Sequence, residues 1–458
     1  MTRASKMIER LKDLAISIPE IYLPKEGVDY RKWAVIACDQ YSSEREYWEN
    51  VAQEVGNAPS TLRLIYPECF LEDGDMDQRI SAIHRTMNEY LEQGIITSKG
   101  EAFVLVERTT PFEEKPRLGL VVAIDLEHYQ YGKNSKSLIR PTEDTIEQRL
   151  PPRMKIRRGA PLELPHIMIL VDDPKKTLIE PLYEQRQYFE KAYDFDLMQN
   201  SGHIRGWFVK EERQLCRIAQ ALEDLADPCA FSERYGSNYS ADDVLLFAVG
   251  DGNHSLATAK AIWEETKNAY KDKPDAGRIL SEHPARCALV ELVNLHDEGL
   301  PFHPIHRVLF NIDAVDFLRK LSAHGAEIRY SSNAKQAFAE VDVPQDSHFF
   351  AFVTEKWTGT IRFEEPKARL AVSTIQECID EYRKAHPEVV IDYIHGSASI
   401  EALGRKKGSL GLYLPPVDKD MLFSVVIQEG VMPRKTFSMG EAPEKRFYIE
   451  SRLIIPQK

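Results

Sequence analysis

The chain has 458 residues, 43% of them hydrophobic and 29% charged, with a formal net charge of −13. That is enough apolar material for a sizeable core and for two or three domains. The acidic balance argues against general binding of nucleic acid or of an anionic membrane surface, but a few local arginines can reverse the field in one cleft, so an anionic small molecule stays open as a ligand.

Cys38, Cys69, Cys216, Cys229, Cys287 and Cys378 are scattered and form no CxxC pair, which signals neither a zinc ribbon nor a redox motif. Such usage fits a reducing compartment, and a cytoplasmic location is the expectation. The start, MTRASKMIERLKDLA, lacks a signal peptide's apolar core. No apolar run approaches the ~20 residues of a membrane helix.

Hydrophobic spacing predicts the elements in order. After a short N-terminal helix, KWAVIACDQYSS (32–43) reads as a buried strand ending in a polar loop. EREYWENVAQEVG has helical spacing at Tyr47, Val51 and Val55, with Gly56 as a stop. IHRTMNEYLEQGI (83–95) predicts a helix ended by Gly94. AFVLVERT (102–109) and RLGLVVAIDL (117–126) predict strands paired across TPFEEKP. A basic stretch with Pro141, Pro151 and Pro152 leads to a strand at HIMILV. KTLIEPLYEQRQYFEKAY predicts a helix, GHIRGWFV a strand, EERQLCRIAQALEDLA an amphipathic helix, VLLFAVG a strand, SLATAKAIWEETKNAY a helix and PARCALVELVNLH (284–296) a buried strand. This alternation indicates an α/β to α+β class, a mixed sheet with helices. Farther on come a helix at VDFLRKLSAHG, strands near 348–354 and 359–363, a helix near 374–385, and strands around basic loops from Leu422 to the end. The expected division is a main α/β region over 1–310 and a C-terminal α+β region over 311–458, closely packed because no Gly/Ser linker marks the boundary.

Residues 244–263, VLLFAVGDGNHSLATAKAIW, put a polar cluster where a strand gives way to a helix. There the open N–H groups of the first turn and the helix dipole face outward together, a natural phosphate site. Gly250 and Gly252 let the backbone approach a ligand, and Ser255 can cap the helix or donate to an anion oxygen. Asp251, Asn253 and His254 exceed what a plain turn needs, although a capped turn with a well-bonded histidine has the same spacing. The P-loop lysine is missing, Ser255 replaces the third glycine of a dinucleotide fingerprint, and GxSxG is not matched. GD and GNH are fragments of two-metal phosphoesterase motifs, overlapping here in one turn; a metallophosphoesterase is the third reading of this chain.

IRPTEDTIEQRLPPRMKIRR interleaves Arg140, Arg149, Arg153, Arg157 and Arg158 with Glu143, Asp144 and Glu147. A guanidinium fork grips phosphate at two points, and a carboxylate beside it suits a general base. Arg140, Thr142 and Glu143 therefore read as a grip with its base; a solvated face of surface ion pairs fits equally. In HPIHR (303–307) the proline breaks helical metal-ligand spacing, leaving His306 and Arg307 as anion donors or structural hydrogen-bonders, with zinc a minor reading. Asp39 and Gln40 close a buried strand at CDQY, where loop residues often enter sites. Arg434 and Lys435 stand beside hydroxyls in MPRKTFSM, and His395 precedes a small turn in IHGSAS.

Six segments in order, KWAVIACDQYSSEREYW (32–48), RPTEDTIEQRLPPRMKIR (140–157), ELPHIMILVDDP (163–174), GDGNHSLATAK (250–260), PIHRVLF (304–310) and VMPRKTFSMGE (431–441), resemble family 1015 of the domains of unknown function. Its members more commonly carry ADGHHRYETA at the glycine turn, which is similar to the anion-binding turn of the ParB, sulfiredoxin and free serine kinase superfamily. Asp251, Gly252 and His254 match that pattern; Asn253 stands in place of His and Ser255 in place of Arg. Arg140, Arg153 or Arg307 would then supply the missing charge. The resemblance implies a ParB/sulfiredoxin-like core and, because family members tend to be encoded near genes of the phosphorylated route to serine, a phosphoryl-transfer enzyme acting on O-phospho-L-serine or L-serine. The altered turn favours hydrolysis of phosphoserine over an ADP- or ATP-dependent serine kinase.

On that reading Glu143 activates serine or water, His254 donates to the transferred group or leaving oxygen, and Asp251 orients His254 or holds Mg²⁺. Arg140, Thr142, Arg153, Gly252, Asn253, Ser255, His306 and Arg307 bind phosphate. Asp39, Gln40, Arg434 and Lys435 recognise the amino acid. Mg²⁺ and an adenine nucleotide are the cofactors left open, and the partner is a small phosphorylated metabolite rather than nucleic acid or membrane. The alternative is a non-catalytic regulator that binds a nucleotide or phosphometabolite.

Overall fold

The longest apolar runs of the chain become the middle of a mixed sheet. In a computed structural model, which describes residues 3–132, 135–236 and 239–456, this sheet contains β1 (Ile16–Ser17), β2 (Phe103–Thr109), β3 (Arg117–Asp125), β4 (Ile139–Pro141), β5 (Met168–Val171), β6 (Lys191–Asp196), β7 (His203–Val209), β8 (Phe247–Asp251) and β9 (Cys287–Asn294). Their order is β6-β7-β2-β3-β9-β5-β8-β4, with β1 on the end of β3. Neighbours are antiparallel except β9 with β5 and β8 with β4, which are parallel.

Every residue of β3 is buried, because helices cover both faces and the period-two alternation sorts side chains between two cores rather than between core and water. Leu105, Leu120 and Val290 join α1 (Arg3–Asp13), α5 (Glu212–Ala226) and α6 (Asn253–Tyr270) on one face. Val104, Val121 and Leu289 join α2 (Arg45–Val55) and α3 (Met76–Glu92) on the other. The helix α4 (Leu150–Arg157) packs against α6. No helix among the described residues is long and apolar enough to cross a membrane.

Two compact units result: residues 1–301 together with 440–458, and residues 302–439. The last segment, 440–458, returns to the first unit. Charge holds it there. Arg446 is buried among Glu291, Glu450 and the carbonyl of Pro165, to which its Nε donates at 3.1 Å. Burial would lower its pKa, but the two carboxylates outweigh that and keep it above its ordinary value. Gly119 faces Glu291 at a distance that leaves no room for a Cβ. Arg452 adds a second buried pair to Glu163 at 2.8 Å.

In the second unit β10 (His306–Phe310), β11 (Glu327–Tyr330), β12 (His348–Thr354), β13 (Thr358–Phe363), β14 (Val390–Ile394) and β15 (Ser409–Tyr413) form an antiparallel sheet in the order β11-β13-β12-β15-β10-β14. Its helices are α7 (Ala314–Ala323), α8 (Ala334–Val341), α9 (Ala371–Ala385), α10 (Ser397–Gly404) and α11 (Met421–Gln428).

Three local expectations change. KTLIEPLYEQRQYFEKAY holds only a short helix, Glu180–Glu184, before β6; with Tyr193 buried between more exposed neighbours, Lys191–Asp196 alternates as an edge strand on β7. The segment after Asp420 begins as α11, because Leu422, Phe423, Val425 and Val426 form one buried helical stripe. The strand expected at 32–43 contracts to Val35–Ile36, paired with Phe447–Tyr448.

Arg446→Met should cost about 3–5 kcal/mol, since it leaves Glu450 without its cation and Glu291 with Arg117 at 3.7 Å; urea unfolding measures this, and a loss below ~1 kcal/mol would show that the pairs are not holding the segment. A second outcome concerns His306, whose Nδ1 accepts from the Leu414 N–H at 3.1 Å while the ring stacks on Tyr413. Burial, then the charges of Arg307 and His395, push it from 6.5 down to about 3. The unfolded imidazole binds a proton between those values and the folded one does not, so stability should fall as pH drops through that window, at up to about 1.4 kcal/mol per unit. His306→Gln should flatten that slope between pH 6 and 4; an unchanged slope would assign the loss to other groups.

Candidate functional site

Strand registers bring the site together at one end of the large sheet. Asp251, the last residue of β8, lies opposite Met168, the first of the antiparallel β5, so His166 and Ile167 stand beside the glycine turn. Pro141, at the end of the parallel β4, lies opposite Val249, so Thr142 and Glu143 leave the sheet at the same end. The Thr142 hydroxyl donates to the Val249 carbonyl at 2.6 Å. Across another pairing, Phe447–Tyr448 meets Val35–Ile36, and this brings Cys38 to Tyr448.

The helix α6 starts two residues earlier than its apolar spacing suggests. Its N-cap is Gly252 in the left-handed region at φ 78°, with no side-chain cap, and Asn253 is its first residue. Ser255 is therefore inside the helix rather than its cap. Its Oγ lies 2.8 Å from His166 Nε2, and His166 Nδ1 lies 2.9 Å from the Tyr448 hydroxyl. That phenol oxygen accepts from the Cys38 N–H at 3.1 Å. Burial pushes the Tyr448 phenol and the Cys38 thiol well above their ordinary ranges.

Two ion pairs flank this chain. Asp251 meets Lys445 at 3.2 Å, with the lysine side chain only 10% exposed. Burial would raise the Asp251 carboxyl, but Lys445, His166 and the Gly252 N–H hold it below its ordinary value. Glu68 pairs with Arg153; burial, reinforced by Asp39, raises the Glu68 carboxyl despite that arginine. A cavity of about 150 Å³ has Cys38, Glu68, Arg153, His166, Ser255 and Tyr448 on its polar side and an aliphatic wall that includes Ile83 and Met87.

Of the residues singled out from sequence, Asp251, Gly252, Asn253, His254, Ser255, Thr142, Glu143 and Arg153 are brought to this end of the sheet. His254 Nε2 accepts from the Ile146 N–H at 3.2 Å, which makes the ring neutral with its proton on Nδ1. Asn253 Nδ2 donates to the Val249 carbonyl at 3.4 Å, while its Oδ1 is buried without a hydrogen-bond partner among the described residues. Asp39 is half-buried and takes a bond from Gln40 at 3.0 Å.

Arg140 is a correction: its guanidinium donates to the carbonyls of Ser137 and Asp243 and is buried, so it ties β4 to the start of β8 and does not reach the turn. His306 and Arg307 are likewise interior groups of the second unit, Arg307 donating to the carbonyls of Ile305 and Arg434. Arg434 and Lys435 are exposed on a turn of that unit. Among the described residues no three His, Cys, Asp or Glu side chains cluster to hold a metal ion.

His166, Lys445, Tyr448, Glu68 and Cys38 were not singled out as site residues from sequence. A signal existed for two of them: KRFYIESR alternates charges with large apolar side chains, the spacing of a buried segment whose charges must be paired.

Gly252→Ala should destabilise the fold by about 1–2 kcal/mol, because the left-handed conformation strains any β-carbon and this one would lie 3.0 Å from Ile167 Cγ1. Thermal or urea unfolding reads the loss; a variant as stable as the parent would mean that the turn relaxes.

Among solved structures, a free serine kinase in complex with AMP is 10% identical, with 72% of this chain and 90% of that one covered and a TM-score of 0.37. A conserved hypothetical protein from Pyrococcus furiosus is 12% identical, with 73% and 95% covered and a TM-score of 0.36. SbnI from Staphylococcus aureus, with a C-terminal truncation, is 8% identical, with 70% and 83% covered and a TM-score of 0.34. No curated protein sequence matches the chain significantly. The family described as protein of unknown function (DUF1015) matches residues 22–382, and the chain belongs to that family.

Proposed function

We propose that this protein is a phosphoryl-transfer enzyme acting on O-phospho-L-serine or L-serine, with hydrolysis of phosphoserine the favoured direction over an adenine-nucleotide-dependent kinase. The observation that carries the reading is the pair of ion pairs, Asp251–Lys445 and Glu68–Arg153, on either side of the Ser255–His166 contact at the start of α6. A simple anion that took either cation would strand a partly buried carboxylate, at a cost of several kcal/mol. A zwitterionic phosphomonoester supplies both signs: its phosphate can take Lys445 and Arg153, and its ammonium can take a released carboxylate.

The first-turn N–H groups of α6 add a fixed positive end for the phosphoryl oxygens. His254, held by the Ile146 N–H, would present its Nδ1 proton to the transferred group. Glu143, leaving β4 at this end, would take the proton of the acceptor, water or the serine hydroxyl. Asp39 and Gln40 would contact the amino acid. Asp251 is the carboxylate that Mg²⁺ would take if the reaction uses it, where the ion would offset charge on the phosphoryl oxygens.

Phosphorus NMR of the protein with phosphoserine, with and without Mg²⁺ and with AMP or ADP, should show loss of the monoester signal. Lys445→Ala should lower kcat/KM by about 10- to 100-fold, the worth of one charged hydrogen bond. No turnover in any combination and in either direction would remove the enzymatic reading. Calorimetric binding of phosphoserine or a nucleotide that survives Glu143→Gln, without any product, would make the chain a binding regulator instead.

A further inference from the structure

We infer that Ser255 is a nucleophile, activated by His166 and able to carry the transferred group as a covalent seryl ester. The geometry is that of a nucleophile, its base and an orienting group. Ser255 Oγ is 2.8 Å from His166 Nε2, and His166 Nδ1 is 2.9 Å from the Tyr448 hydroxyl. Such a spacing is what activates a hydroxyl that is a weak nucleophile alone. The hydroxyl is not spent on capping, because Gly252 holds the N-cap position. Ser255 and His166 both line the cavity.

Tyr448 fits the orienting role. Its phenol is buried and stays protonated, so it is not itself a base. The Cys38 N–H fixes its oxygen from one side. The same oxygen can accept the Nδ1 proton of His166, which leaves Nε2 as the acceptor for the Ser255 proton. Tyr448 acts through His166 and is a positioning residue. Arg153, on the cavity wall, would offset negative charge on the attacked group.

In phosphoserine hydrolysis, which rests on the proposed function, Ser255 Oγ bonds to phosphorus while its proton passes to His166 Nε2. The bond from phosphorus to the serine oxygen of the substrate breaks, and that oxygen takes the proton from Nε2. Water then attacks the phosphoseryl group, and in this covalent route His166 Nε2, in place of Glu143, takes its proton. The Ser255 Oγ–phosphorus bond breaks, the proton returns to Oγ, and inorganic phosphate leaves.

The reactivity of Ser255 can be tested without that substrate. A short-chain alkyl fluorophosphonate offers an electrophilic phosphorus and an apolar tail suited to the aliphatic wall of the cavity. Attack forms the Oγ–phosphorus bond and expels fluoride, with the proton taken by His166. Peptide mapping of the treated full-length protein should place the label on Ser255. Labelling should be about 100-fold slower or more in His166→Gln, the usual contribution of a positioned base. Tyr448→Phe should lower the maximal labelling rate and leave the half-saturating reagent concentration unchanged, a split that a general loss of structure would not give. An unlabelled Ser255 in protein of normal unfolding midpoint, or equal labelling in His166→Gln, would overturn the inference. So would hydrolysis of phosphoserine by Ser255→Ala at the parent rate. Labelling of Ser255 without phosphoserine turnover would keep the nucleophile and remove the substrate assignment.

Discussion

Arg446 is the fixed point of the first unit. A guanidinium and two carboxylates taken out of water carry a large desolvation cost, and it is offset only when each hydrogen-bonding face is filled. Here Glu291 comes from β9, Glu450 from the returning C-terminal segment and the Pro165 carbonyl from the approach to β5. One side chain therefore locks three stretches that are remote in sequence. Three residues beside that lock belong to the candidate site: His166 follows Pro165, Lys445 precedes Arg446, and Tyr448 lies midway between Arg446 and Glu450. The catalytic-looking geometry is thus a by-product of where the charges had to be paired.

The sheet supplies the other half of the constraint. β8 runs parallel to β4 and antiparallel to β5, so the end of two strands and the start of a third coincide. A one-residue slip of β5 on β8 would turn His166 to the other face. Buried apolar partners on both faces penalise that slip, because Ile169 would then leave its own core. Precision in the polar cluster is inherited from apolar packing that never touches it.

Much of this architecture is legible in the sequence, for reasons that differ by element. β2, β3, α5 and α6 are visible because long periodic runs determine their own form. The stretch from Lys176 to Tyr193 is misleading because its aromatic residues repeat with nearly helical spacing, and only pairing with β7 decides that part of it is a strand. The glycine turn is visible as a phosphate-like feature, and Asp251, His254 and Ser255 do meet there. Arg140 misleads because an arginine beside a threonine and a glutamate looks the same whether it grips a ligand or three main-chain carbonyls. His306 and Arg307 mislead in the same way. His166 and Tyr448 are silent because their significance lies in a contact 282 residues apart in sequence, which no local pattern encodes.

The charge balance of the site limits what it can bind. Lys445 and Arg153 already have carboxylate partners, so the field at the start of α6 is less positive than the residue list implies. An inorganic anion gains the helix end but must compete with Asp251 and Glu68 for the same cations. A ligand carrying an ammonium group faces a different balance, because that ammonium can take one of the two carboxylates that a phosphate on both cations would release. The departure of Asn253 and Ser255 from a charged turn has the same sense: a site with fewer uncompensated cations discriminates by the arrangement of both signs rather than by the strength of one.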